Sequence, residues 1–247
     1  MDKSFFILGE KSNVTKFWLS TLPSVSLSTV LLDQYSEMLK HRYTLMLILA
    51  KALWQFYGTG WMRTPWSTDS VLFLVEYKKS SGSRGIFINE PFIHSKLSPY
   101  SKRHECLPLQ RRFEAIEAFG VMLLEIELRV LMRDQILQLP REEYKELIAY
   151  DTLQQHIFAA NSLFGDAERM QNVPHLLKEV IHDCLTPDKF RIHSEEPSAL
   201  RAAIYRTIVD PILGMFKAFY KDTDHFELQW PTIPRPDVTT EPIVSNV

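Results

Sequence analysis

The sequence predicts a mainly α-helical domain carrying one small β-hairpin. Three observations predict it. Two long stretches, Asp33–Tyr57 and Arg112–Leu139, place apolar residues at helical spacings over several turns. One short stretch, Ser70–Tyr77, is apolar, rich in β-formers and followed by turn residues. The second half of the chain is then divided into shorter amphipathic segments by Gly and Pro.

In the first long stretch, Asp33 is a plausible N-cap, and Met38, Leu39, Leu45, Met46, Leu49, Leu53 and Phe56 follow at helical spacing. From Leu45 to Tyr57 nearly every face is apolar, so this helix belongs deep in the core. Gly58 and Gly60 end it, since glycine enters the left-handed cap conformation without steric cost. Ser70–Tyr77, the turn-rich Lys78–Gly85 and then Ile86-Phe87-Ile88 read as the hairpin. Pro91–Leu109 is irregular. The second long helix, Arg112–Leu139, carries Gly120 inside it and Pro140 after it. Further helices are expected at Arg141–Asp151, Thr152–Phe164, Val173–Cys184 and Ser198–Tyr220, with Pro211 kinking or breaking the last. Three regions follow: an N-terminal segment 1–32, a helical domain 33–230, and a tail 231–247 that is Pro-rich and has little to bury.

Composition narrows the function. The chain has 247 residues, with 28 Lys and Arg against 30 Asp and Glu, a formal net charge of -2. A nucleic-acid binder needs a clustered basic excess, and none is present. The densest basic stretch, Lys96–Arg112, is interrupted by Glu105 and reads as a solvated loop. Two cysteines, Cys106 and Cys184, favour a reducing compartment over a disulfide framework. The apolar trio Phe5-Phe6-Ile7 is too short for a signal-peptide core, and Leu45–Tyr57 is broken by Lys51 and Gln55 short of a membrane span. The expected location is the cytoplasm or the nucleus, and the expected partner is protein, with no nucleic acid and no membrane span.

The order of elements, and several motifs, resemble the C-terminal lobe of protein kinases. Leu49-Ala50-Lys51-Ala52-Leu53 through Gly60 is similar to the helix before the kinase catalytic loop. Phe119-Gly120-Val121-Met122-Leu123-Leu124-Glu125 resembles the buried central helix of that lobe, and Cys184-Leu185 the end of a late helix. From about Val25 to Lys221 the chain looks still closer to a fungal family of uncharacterised, degenerate kinase-like C-lobes that often follow a HeLo-type (prion-inhibition) helical domain.

What that resemblance implies about activity lies in the departures. Phosphoryl transfer needs an Asp to orient the hydroxyl, an Asn and a second Asp to hold magnesium, and an N-lobe Lys. Placing Gly60 at the glycine before the loop puts Arg63 at the kinase His and Pro65 at the catalytic Asp. Ser70 falls at the magnesium Asn, Glu90-Pro91-Phe92 near Asp-Phe-Gly, and Ala115 at the Asp that begins the central helix. No glycine-rich phosphate loop and no Val-Ala-Ile-Lys strand occur. Together these losses remove the kinase chemistry. A lone C-lobe also exposes the face that meets its N-lobe, which residues 1–32 or a second chain are expected to cover.

Other chemistry is weaker still. His104-Glu105-Cys106 and His182-Asp183-Cys184 contain soft zinc ligands, but residues two apart on a helix point about 200° from each other. A buried Cys beside a surface His explains each pair. No Gly-x-Ser-x-Gly, His-Glu-x-x-His or Gly-x-Gly-x-x-Gly motif is present. No catalytic, cofactor-binding or metal residue is therefore assigned. The aromatics Trp54, Tyr57, Trp61 and Trp66 surround the remnant loop. They either refill it with apolar bulk or line a small pocket, and in the second case Trp61, Arg63, Trp66, Ser70 and Glu90 form the degenerate cleft. The reading is an inactive interaction or regulatory module. An enzyme of unrecognised type using that cleft, or a fragment of a longer protein with no role of its own, are the alternatives.

Overall fold

A computed structural model describes residues 5–7, 24–32, 38–59, 62, 65–78, 83–86, 91–93, 113–193 and 195–220. Among these the chain is mostly helical with a small sheet on one side. The elements in order are β1 (Phe5–Ile7), β2 (Ser24–Ser26), α1 (Leu27–Leu32), α2 (Met38–Phe56), β3 (Val71–Lys78), β4 (Ser83–Ile86) and β5 (Phe92–Ile93). Then follow α3 (Glu114–Leu128), α4 (Met132–Ile136), α5 (Arg141–Leu147), α6 (Thr152–Phe164), α7 (Ala167–Met170) and α8 (His175–Leu185). The last are α9 (Asp188–Arg191), α10 (Pro197–Ile204), a π-helical turn (Tyr205–Val209) and α11 (Asp210–Phe219).

The core forms around the two helices with the most apolar text. In α2, Leu45, Met46, Leu47, Leu49, Ala50 and Leu53 are all buried. Burial on several faces at once is what a helix without a polar stripe requires. Gly58, at φ 75°, ends it, and Thr59 satisfies the open carbonyl of Phe56 through its N–H at 3.0 Å and its hydroxyl at 2.6 Å. The expected N-cap, Asp33, lies outside the described residues, as does Gly60. The central helix α3 is buried from Ile116 to Ile126 save for Glu117, and packs on α8, α6 and α2.

The expected second helix, Arg112–Leu139, proves to be two. α3 stops at Leu128, and Arg129 adopts the left-handed conformation with φ 55° and ψ 43°. The break lets Leu131 and Met132 turn back into the core, where both are buried. Apolar burial thus overrides a continuous helical pattern. At the C-terminal end the expected helix Ser198–Tyr220 changes register through the π-helical turn Tyr205–Val209. Asp210 donates its N–H to Tyr205, five residues back, and Pro211 sits in the first turn of α11, where its missing N–H costs least. Thr152–Phe164 is helical as expected. Arg141–Asp151 ends early, at Leu147, because Asp151 caps the next helix through Gln154 N–H at 3.0 Å. The short α1, α7 and α9 have no counterpart in the sequence expectation.

The hairpin is present as β3–β4, with Val75 opposite Ile86 and Lys78 opposite Ser83; its second strand starts at Ser83, inside the stretch expected as turn, while Phe87 and Ile88 lie outside the described residues. It is the middle of a larger sheet, because β2 and β5 also pair antiparallel with β3 and β1 pairs parallel with β4. Val71 and Phe73 are fully buried while Leu72 and Leu74 are half-buried, the alternation of a strand with one core face. Leu27, Val30 and Leu31 of α1 join the same core, so residues before the 32/33 boundary contribute to it. Among the described residues no helix is long and apolar enough to cross a membrane. The Pro-rich tail lies outside them.

Candidate functional site

The segment before β3 is where the remnant cleft is expected. Its polar run, Ser67-Thr68-Asp69-Ser70, separates Trp66 from the apolar strand and folds as a tight turn. Ser70 closes that turn. Its hydroxyl donates to the Ser67 carbonyl and accepts from the Ser67 N–H, each at 2.8 Å. Trp66 is 6% exposed, and its indole nitrogen has no hydrogen-bond partner among the described residues. Trp54 packs edge-on against Tyr205 at 5.2 Å, and Tyr57 is buried with its carbonyl accepting from Arg201 at 3.4 Å. Of the five expected cleft residues, then, Trp66 packs in the core and Ser70 serves its own turn. Trp61, Arg63 and Glu90 lie outside the described residues.

The polar centre that the structure does build sits one step along. Glu125 of α3 is 4% exposed, an acid in the middle of an apolar helix. Its two oxygens accept from the Thr68 hydroxyl at 3.0 Å and from the Met132 N–H at 2.8 Å. The second bond satisfies an otherwise open donor at the start of α4. Burial pushes the Glu125 carboxyl up to about 7, against the two hydrogen bonds, which favour the charged form. Next to it, Asp69 accepts from Arg133 Nη1 on both carboxylate oxygens, at 3.2 and 3.1 Å, and also from the Ser28 hydroxyl. Ser28 N–H donates to the Thr68 carbonyl at 3.0 Å, and Ser26 Oγ lies 2.8 Å from Ser28 Oγ and 2.9 Å from Thr29 Oγ1. His156 of α6 feels Asp69 and Arg133, and burial holds its imidazole below the ordinary range.

This network joins β2, α1, the 67–70 turn, α3 and α4. It works as a joint between sheet and helices. Its hydroxyls on carboxylates, Ser28 on Asp69 and Thr68 on Glu125, belong to residues 2% and 4% exposed and are closed to a substrate. Sequence reasoning passed over it, although one signal was there: Glu125 interrupts an apolar stripe and must find partners.

A second polar cluster lies where α2, the end of α3 and α11 meet. Arg42 Nε stands 3.0 Å from Glu127 Oε2, at ion-pair distance but off hydrogen-bond geometry. Arg42 Nη2 donates to the Tyr43 hydroxyl at 2.9 Å, and Tyr43 stacks on Phe219 at 4.4 Å. Burial raises the Glu127 carboxyl, while Arg42 and then Arg129 pull it back down. Tyr220 accompanies them, with Thr44 hydrogen-bonded to its phenol and Arg42 nearby.

The remaining candidates separate in space. His182 is exposed, with 60% of its side chain accessible, while Cys184 is fully buried, so that pair faces two ways. His104 and Cys106 lie outside the described residues. Burial pushes the Cys184 thiol far up, with Asp183 adding to it. Among the described residues no group of three or more His, Cys, Asp or Glu could hold a metal ion.

No curated protein and no solved structure matches the chain. Residues 10–219 match the family model described as Domain of unknown function (DUF7580). That span takes in α1 to α11 and both polar clusters apart from Tyr220, well over half of the chain, and on it the chain belongs to the DUF7580 family.

Proposed function

We propose that the chain is a catalytically inactive interaction or regulatory module, laid out like a kinase C-lobe, that works by binding another protein in the cytoplasm or nucleus. One observation carries this reading. The resemblance puts Ser70 at the magnesium ligand, and its hydroxyl is spent twice on the Ser67 backbone. Pro65, at the place of the catalytic Asp, has no acid to offer. The acid buried close by among the described residues, Glu125, has each of its oxygens engaged, one by Thr68 and one by Met132. A protein partner fits the exposed apolar side chains of Leu137, Ile148 and Tyr150, which are 72%, 53% and 61% accessible around α5.

The test has two arms. ATP with magnesium is expected to leave the melting temperature unchanged, and a rise would return the cleft to nucleotide binding. In a quantitative pull-down, the Leu137→Asp and Ile148→Asp variants, checked by circular dichroism, are expected to lose partners that the wild type retains. Equal recovery by both variants would count against this surface.

A further inference from the structure

The helix α5 buries one side chain. Leu147 is 4% exposed, while every other residue from Arg141 to Tyr150 is exposed. Packing of an apolar face ordinarily stabilises a helix in a protein, and one of seven residues is too short to be stable alone. Local terms support this one. Glu142 and Glu143 lie in its first turn and Lys145 in its last, each favoured by the helix dipole, and Lys145 Nζ donates to Glu142 Oε1 at 3.0 Å. The result is a helix displayed to solvent on most of its circumference.

The buried Leu147 fixes which way α5 faces. At about 100° per residue, Tyr144 lies roughly 60° round from Leu147, and Ile148, whose backbone continues the helix, roughly 100° round on the same side. Exposure rises in that order, 36% for Tyr144 and 53% for Ile148. Arg141 and Lys145 come next, at roughly 120° and 160°. Glu143, Glu146 and Glu142 fall on the opposite side of Leu147. One flank of α5 is therefore apolar with a basic outer edge, and the other flank is acidic.

We propose that the Tyr144–Ile148 flank of α5, edged by Arg141 and Lys145, docks an acidic amphipathic segment of a protein partner. The apolar side of that segment lies on Tyr144 and Ile148, and its carboxylates meet the two bases. Arg141 supplies a planar fork that suits a carboxylate, and Lys145 a point charge. The inference rests on the reading of the chain as a protein-binding module and adds the chemistry of the partner. A second copy suits this flank less, because an antiparallel twofold pair of α5 helices sets Arg141 and Lys145 against their own counterparts. A flat anionic surface suits it less too, because Glu142, Glu143 and Glu146 share the same short helix.

Three synthetic amphipathic peptides test this on the full chain by fluorescence anisotropy. They share one leucine face, flanked by glutamate, by glutamine or by lysine. At low ionic strength the glutamate peptide is expected to bind roughly tenfold more tightly than the glutamine peptide, and the lysine peptide most weakly. High salt should shrink the preference. Arg141→Gln with Lys145→Gln should abolish it, and Arg141→Glu with Lys145→Glu should reverse it. Ile148→Asp should weaken all three peptides, each variant first being matched to the wild type by circular dichroism. Equal binding of the three peptides, or the same preference in the Gln and Glu variants, would overturn the acidic partner. So would binding of none of them, binding to phosphatidylserine vesicles in their place, or a sedimenting dimer that Ile148→Asp dissolves. Failure of the module reading shows separately, as a rise in melting temperature with ATP and magnesium.

Discussion

Gly120 of α3 lies directly against Cys184 of α8. A Cβ built on Gly120 would stand 2.6 Å from the Cys184 Cβ and 3.3 Å from the Leu185 nitrogen. Both atoms are fixed to the backbone of α8, so no side-chain rotation relieves the contact. The two helices can approach this closely because one of them carries hydrogen where every other residue carries carbon.

Replacing Gly120 by Ala should therefore destabilise the fold. Ala gains up to about 1 kcal/mol of helix propensity over Gly, but overpacking here costs about 1–3 kcal/mol. Urea unfolding should show a lower midpoint with an unchanged slope. A variant as stable as the wild type would mean that α3 and α8 slide apart freely.

Glu125 makes stability depend on pH. Its carboxyl is raised from 4.5 to about 7, so the folded state holds the proton more tightly than the unfolded chain. Stability from this group is then highest below about pH 4.5 and falls as pH rises to about 7, a change of about 3 kcal/mol. His156, held below its ordinary 6.5 by burial, acts in the opposite sense on the acid side of that value. Glu125→Gln keeps an acceptor for the Met132 N–H and removes the titration. Its Tm should decline less than the wild type's across this window, and parallel profiles would refute the assignment.

Cys184 should be chemically silent in the folded protein. It is fully buried and its thiol is held protonated. Mass spectrometry after alkylation should find Cys184 unmodified under native conditions and modified in denaturant. Rapid native modification would indicate that α8 opens locally.

The caps of α6 and α7 rest on single aspartates. Asp151 accepts from Gln154 N–H at 3.0 Å, and Asp166 from Glu168 and Arg169 N–H at 3.0 and 3.2 Å. Asp151→Ala and Asp166→Ala should each cost about 1 kcal/mol, read as a fall in the denaturation midpoint. Asn in place of either Asp should recover most of it.

Fold class, the long α2 and α3, the β3–β4 hairpin and the span of α6 were legible in the sequence, because each rests on local periodicity. Gly58 as the stop of α2 was legible for the same kind of reason: a left-handed residue is a local demand. The tertiary structure decided the rest. It broke the expected second helix at Arg129 so that Leu131 and Met132 could be buried. It recruited Ser24–Ser26, a segment with no strand signature, to the edge of β3. It turned Ser70 inward on its own turn and gave Glu125 its buried polar partners. Periodicity is written in neighbours along the chain, whereas the buried acid finds one of its two donors 57 residues away, at Thr68, where only packing brings them together.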